Sequence, residues 1–272
     1  MIDKKENSEN PEKTIDLDFS DNGAIAVLRL NRPLKRNALN RACLEALAET
    51  LAQLQHNELL RVLMFSGHGA DFCAGADLTW MKESIQYSKA ENLDDAKRLS
   101  TVLQLLQSFP RPTVAAVQGT VFGGGLGLVA CCDIVLASSD SRFCFSEVKL
   151  GLIPGIIGPF IAEAMGVRHM QRYCLTAEVF GADEARRCGL VHEIVSETAL
   201  MDASFAMARR MLSHGPNALT ETKAMLLQLR HEPKAQAKLM DAMLHKIADI
   251  RVTKEAQEGM SAFLEKRAPH YV

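Results

Sequence analysis

The feature that most constrains this chain is a strand-like run, a glycine cluster and an apolar helical run set end to end. Thr113 to Gln118 reads as a buried strand, and "GTVFGGGLGLVACCD" follows at once, from Gly119 to Asp133. Glycine loses more backbone freedom on folding than any other residue. Three glycines at a helix start therefore need a reason local to the backbone. The first N–H groups of a helix have no partner within it, and the helix dipole adds partial positive charge there. Together they favour a negative oxygen, and a missing Cβ lets that oxygen come close.

The residues leave three uses for the glycines open. A phosphate loop needs Gly-Lys-Ser/Thr, whereas Gly125 is followed by Leu126 and Gly127. A dinucleotide fingerprint needs a third glycine where this chain has Leu128, so both phosphate patterns fail on residue identity. The second use is to hold a carbonyl oxygen that gains charge during reaction, where a donor contributes about 3–4 kcal/mol. The third is close packing of helix on strand and nothing more.

Two further stretches sharpen the second use. Phe72 to Leu78, "FCAGADL", is another glycine turn after a strand and offers a second N–H to the same oxygen. Phe145 to Pro154, "FSEVKLGLIP", sets Glu147 among apolar residues with Gly151 and Pro154 shaping a turn behind it. A carboxyl in apolar surroundings has a raised pKa and suits proton transfer. Asp133 is expected to end the glycine-led helix.

The remaining pattern sets the class. Runs at 14–19 and 24–30 flank Ser20-Asp-Asn-Gly23, a hairpin signal. Leu44, Leu47, Leu51 and Leu54 recur at helical spacing, as do Leu99, Val102, Leu103 and Leu106. Strand signals end near residue 196, and the rest reads as helix. The expectation is an α/β core over 14–196, a helical portion over 197–272 and a flexible tail over 1–13. The tail has neither the apolar stretch of a secretory signal nor the acid-poor composition of a transit peptide.

Composition narrows the functions. A net charge of −2 over 272 residues gives no basic footprint for nucleic acid. No apolar run reaches the length of a membrane span. Seven cysteines, an odd number without a C-x-x-C, read as reduced thiols in a cytoplasmic protein. The histidines lack metal-ligand spacing, so no metal is expected. Trp80 either borders the acyl entrance or is an ordinary exposed-side aromatic.

"LNRPLKRNALN", "FCAGADL", "VQGTVFGGGLGLVACCDIVLAS" and "FSEVKLGLIPG", with "TKAMLL" in the helical portion, resemble in order and spacing the signature blocks of the crotonase (enoyl-CoA hydratase/isomerase) superfamily. The likeness covers roughly residues 14 to 267. It implies a crotonase-like spiral of strand-strand-helix units, with the helical portion building a homotrimer or a dimer of trimers. It implies an acyl-CoA substrate and no separate cofactor, coenzyme A being part of the substrate. The oxyanion N–H groups fall on Ala76 and Gly124, beside Gly123. Lys35, Arg36, Ala74, Asp77 and Leu78 fall along the CoA moiety, and Lys35 and Arg36 would meet its phosphates. Glu147 matches the second of two glutamates that hydratases of the family use. The first falls on Gly127, which has no side chain, and this is expected to enlarge the pocket. The surrounding blocks look most like the bacterial methylglutaconyl-CoA hydratase type, of leucine breakdown, and its isohexenylglutaconyl-CoA relatives. Hydration of a 2-enoyl-CoA, a Δ3,Δ2-enoyl-CoA isomerisation with one glutamate, and a non-catalytic acyl-CoA- or RNA-binding role all remain open.

Overall fold

The computed structural model describes residues 13–231 and 253–270. The expected tail, apart from its last residue, and positions 232–252 of the expected helical portion lie outside the described residues.

Strands β1 (Ile15–Ser20) and β2 (Ile25–Leu30) pair antiparallel, with Ser20 opposite Ile25. The turn between them is tight because Asp21, Asn22 and Gly23 all take positive φ, at 50°, 57° and 89°. Helix α1 (Arg41–Leu54) follows, and the Asn40 side chain accepts from the Cys43 N–H at its start. Leu44, Leu47, Leu51 and Leu54 are all buried. Next come β3 (Val62–Gly67), α2 (Leu78–Ser84) and α3 (Lys89–Gln107). Ser88 and Glu91 exchange hydrogen bonds at the start of α3, a reciprocal cap. The middle of the chain runs β4 (Thr113–Val117), β5 (Thr120–Phe122), α4 (Gly124–Ala130), β6 (Ile134–Ser138) and β7 (Arg142–Cys144). Then follow α5 (Gly158–Thr176), β8 (Phe180–Gly181), α6 (Ala182–Arg187), β9 (Glu193–Val195), α7 (Leu200–Leu212) and α8 (Pro216–His231). A last described helix spans Lys254–Leu264.

Six strands form one sheet in the order β1-β2-β3-β4-β6-β9, and β5, β7 and β8 form a second. All neighbours in the large sheet are parallel except β1 and β2. Side chains alternate across a strand, and both faces of this sheet are buried. Ala26, Leu28 and Leu30 join Leu44, Leu47 and Leu103 in one apolar cluster. Ile25 and Val27 join Leu200, Ala208 and Met211 of α7 in another. The helical portion thus begins as the cover of the sheet's second face.

As expected, the glycine-led helix has ended by Asp133, with Ala130 its last residue, but Asp133 does not cap it. Its Oδ2 accepts from the Thr113 N–H (2.8 Å), the Thr113 hydroxyl (2.9 Å) and Lys223 Nζ (2.7 Å), which fastens α8 to the start of β4.

The glycine run is held against the "FCAGADL" turn by backbone hydrogen bonds. Phe72 N–H donates to Gln118 O (2.8 Å), Cys73 N–H to Thr120 O (3.0 Å) and Phe122 N–H to Cys73 O (2.9 Å). Gly123 takes φ +48°, a region side chains avoid. A Cβ on Gly125 would lie 2.9 Å from both Cβ and carbonyl O of Cys73. The packing use of the glycines is therefore real at Gly125, while Gly123 answers to backbone conformation.

Gly125→Ala should destabilise the fold by about 1–3 kcal/mol, the usual result of overpacking. Gly155→Ala, whose Cβ would meet only Ile153 side-chain atoms at 3.4 Å and beyond, should stay within about 0.5 kcal/mol. Urea denaturation midpoints of the two variants check the contrast.

Candidate active site

Ala76, Gly124 and Glu147 line one cavity of about 210 Å³. Residues 75–77 run beside Leu39, whose N–H donates to Gly75 O (2.7 Å) and whose O accepts from Asp77 N–H (2.8 Å). That pairing uses the groups on either side of Ala76 and turns its own amide the other way. Neither the Ala76 nor the Gly124 N–H donates to a protein acceptor among the described residues. Gly124 is half-buried and Ala76 is exposed at the cavity, so the two unused amides are open to an external acceptor.

Glu147 opens a short 3-10 turn, Glu147–Leu150, closed by Gly151 at φ +71°. The Leu152 N–H returns to Glu147 O at 3.0 Å, which fixes the backbone on both sides of the acid. Its Oε1 lies 3.5 Å from where a Cβ on Gly123 would stand. Its Oε2 is buried and has no hydrogen-bond partner. Burial raises its pKa above the ordinary glutamate value, because the charged form loses hydration without gaining a counter-charge.

Gly127 departs from expectation. It is buried, and the space its side chain would use is filled: a Cβ there would lie 2.6 Å from Ile157 Cγ2 and 3.2 Å from Leu103 Cδ1. The missing glutamate has not enlarged the pocket, because Ile157 has moved into its place. Gly127 touches the cavity only through Ile157, which lines it.

The expected CoA-side residues separate. Asp77 is committed to the fold: it is 5% exposed, pairs with Arg32 Nη2 at 2.9 Å and caps α2 through the Thr79 and Trp80 amides. Burial would raise its pKa, but Arg32 and those amides bring it below the usual value. Arg36 is likewise engaged, donating to both Asp71 oxygens at 2.7 and 3.1 Å and to the Thr120 hydroxyl. That pairing pulls the Asp71 pKa down to about 2. These bonds use the Nε and Nη2 of Arg36, and its side chain is otherwise exposed. Lys35 and Leu78 are exposed, and Lys35 lines a second cavity of about 440 Å³ with Arg32, Asn40, Arg41 and Trp80. Ala74 is half-buried and donates its N–H to Arg36 O at 2.9 Å. Trp80 does not line the acyl cavity; its indole donates to Asp95 Oδ2 at 2.8 Å.

Sequence reasoning did not single out Arg32 or Ile157. Arg32 resembles its charged neighbours in the sequence, and only its partner Asp77 sets it apart. Ile157 has no polar chemistry to notice.

All seven cysteines are free. Burial pushes the thiols of Cys43, Cys73 and Cys132 up to about 12, far from a nucleophile's range. Among the described residues no three acidic, histidine or cysteine side chains cluster to hold a metal. No described helix is long and apolar enough to cross a membrane.

With two turn-borne amides and a half-buried acid on one cavity, the chain belongs to the enoyl-CoA hydratase/isomerase family, whose pattern it matches over residues 20–272. It is similar to a crystal structure of an enoyl-CoA hydratase from Shewanella pealeana, with a TM-score of 0.90 and 37% identity, covering 96% of this chain and 97% of that one. It is 32% identical over 248 residues to 2,3-dehydroadipyl-CoA hydratase of Escherichia coli, covering 91% of this chain and 94% of the relative. It is 30% identical over 257 residues to the mitochondrial methylglutaconyl-CoA hydratase of Mus musculus, covering 92% and 80%.

A half-buried acid with a raised pKa burdens the fold at neutral pH. Between the unfolded and folded pKa values the native state holds more protons, so this acid's contribution to stability falls as pH rises. Glu147→Gln should therefore raise the melting temperature at pH 7. The gain should shrink as pH falls through the native titration of Glu147 toward the ordinary glutamate range. Thermal melts at several pH values check the sign.

Proposed function

We propose that the protein hydrates a 2-enoyl-CoA thioester, using the Ala76 and Gly124 amides as an oxyanion hole and Glu147 as the sole proton-transfer group. The observation that carries this reading is the unpartnered Glu147 Oε2 on the same cavity as two unused amides. Family membership and the hydratase relatives support it.

The steps balance with one acid. The amides bind the thioester oxygen and draw electron density from C3. Water held by the Glu147 carboxylate adds its oxygen to C3 while one of its protons passes to the carboxylate. The π-electron pair moves onto the thioester oxygen as an enolate, where the amides stabilise it more strongly than the neutral carbonyl. Collapse of the enolate takes the proton from Glu147 to C2, leaving a 3-hydroxyacyl-CoA and the original carboxylate. A raised pKa suits this cycle, since the group must accept a proton and then release it.

A Δ3,Δ2-isomerisation also needs only one base, and Glu147 is the one acid lining the cavity. The two reactions differ in spectrum: hydration removes the conjugated thioester absorbance of a 2-enoyl-CoA, and isomerisation of a 3-enoyl-CoA creates it. The resemblance and the mouse relative favour a branched glutaconyl acyl group, whereas the cavity's lining, which holds no cation among the described residues, favours an uncharged one. The same proposal includes a homotrimer or dimer of trimers, consistent with exposed Leu226, Leu229 and Met260 on the last helices. It also includes a cytoplasmic setting, which suits seven free thiols.

Glu147→Gln should cut hydration by roughly 10²–10⁴-fold while CoA-ester binding persists. The wild-type kcat/KM should fall on the acid side with an apparent pKa above that of an ordinary glutamate, because the starting form is the carboxylate. Stopped-flow absorbance and calorimetric titration of a saturated acyl-CoA separate chemistry from binding. A variant with near wild-type turnover would remove Glu147 from this role.

A further inference from the structure

We propose that Ile157 determines acyl specificity by closing the inner end of the cavity, and that the Gly127–Ile157 pair selects uncharged hydrocarbon acyl groups over those ending in a carboxylate. The inference rests on the acyl-CoA reading of the site and adds the substrate class.

The pair is a packed unit. Ile157 Cγ2 stands 2.6 Å, and its Cβ 3.2 Å, from the point where a Cβ on residue 127 would be. No side chain at 127 fits without displacing Ile157, so the two positions are coupled. Ile157 is 2% exposed yet lines the cavity that holds Glu147 and Gly124. Leu103 stands behind the same point, and Leu99 lines the cavity beside it. The backbone is held at both sides, with Gly158 N–H on Pro154 O (2.8 Å) and Ile161 N–H on Ile157 O (3.1 Å). A β-branched side chain on a fixed backbone has few rotamers, so Ile157 makes a firm wall.

The chemistry of the wall sets the ligand class. Apart from Ser146 and Glu147, every described residue lining the cavity is apolar or glycine. A carboxylate carried into it would lose its hydration without a cation to replace it. It would also lie in one small cavity with the Glu147 carboxylate, and like charges there repel. A methyl or branched alkyl end meets neither penalty and gains contact with Ile157 and Leu99.

The test uses the purified full chain with paired substrates. Wild-type kcat/KM for 2-pentenoyl-CoA should exceed that for glutaconyl-CoA, whose carboxyl replaces the terminal methyl, by about tenfold or more. Ile157→Ala should raise the ratio of octenoyl-CoA to crotonyl-CoA turnover by about tenfold or more, and Ile157→Val should shift it in the same direction by less. A fall of equal proportion across all chain lengths, or equal use of glutaconyl-CoA by the wild type, would overturn the inference. Calorimetric binding of butyryl-, octanoyl- and glutaryl-CoA gives the same comparison without turnover. If no enoyl-CoA is hydrated, the proposed reaction fails while the binding series still decides the role of Ile157. Glutaryl-CoA binding as tightly as butyryl-CoA, or no change in chain-length preference in either variant, would then reject it.

Discussion

The backbone ladder between Phe72–Cys73 and Gln118–Phe122 is the contact on which the site depends. It places two separate turns side by side, one bearing the Ala76 amide and the other the Gly124 amide. The ladder works only if α4 can come down onto Cys73, and Gly125 permits that by having no Cβ. Asp71 strengthens the same seam: its Oδ1 accepts the Thr120 N–H at 2.8 Å while Arg36 grips both its oxygens. Arg36, which the resemblance sets along the CoA moiety, is in the fold also a clasp between the two turns.

Four carboxyl groups near this region show how environment assigns work. Asp71, Asp77 and Asp133 each have a cation and several N–H or O–H donors, and each holds two parts of the chain together. Glu147 has burial and no cation. In Asp71 and Asp77 the cation and donors favour the charged form, which makes a good fastener and a poor base. The unfastened acid is the one left able to move a proton. Gly123 belongs to the same arrangement, since it needs φ +48° and also leaves room for Glu147 Oε1.

What the sequence disclosed and what it hid divide along physical lines. Glycine turns are legible because a backbone that must approach another backbone, or take positive φ, has almost no other residue to use. The acid was legible because a lone Glu between apolar residues is unusual. Helix α5 was hidden: Gly166 interrupts it at φ +74°, and Val167 and Leu175 are exposed at 69% and 72%, so apolar spacing does not follow burial. Strands β5 and β8, of three and two residues, are too short for periodicity. The partners of Arg32, Arg36 and Asp77 were also hidden, because pairing is set by the fold and not by spacing along the chain. Gly127 combines both cases. The sequence reveals that a side chain is missing there, and only the fold reveals that Ile157 fills the gap.

That filling has a consequence for the chemistry. A second carboxyl at position 127 would need Ile157 to leave, and the cavity would gain a second charge in an apolar setting. With Ile157 in place, the proposed reaction leaves both proton transfers to one acid, whose two oxygens would face the water and C2 in turn. The rigid turn from Glu147 to Leu152 holds the carboxyl at the cavity while its torsions still allow that exchange. Hydration with one acid is therefore a question of whether water can sit between Glu147 and C3 beside an apolar wall. In the proposed reaction the wall also limits the space open to other waters near C2, which favours return of the proton from Glu147.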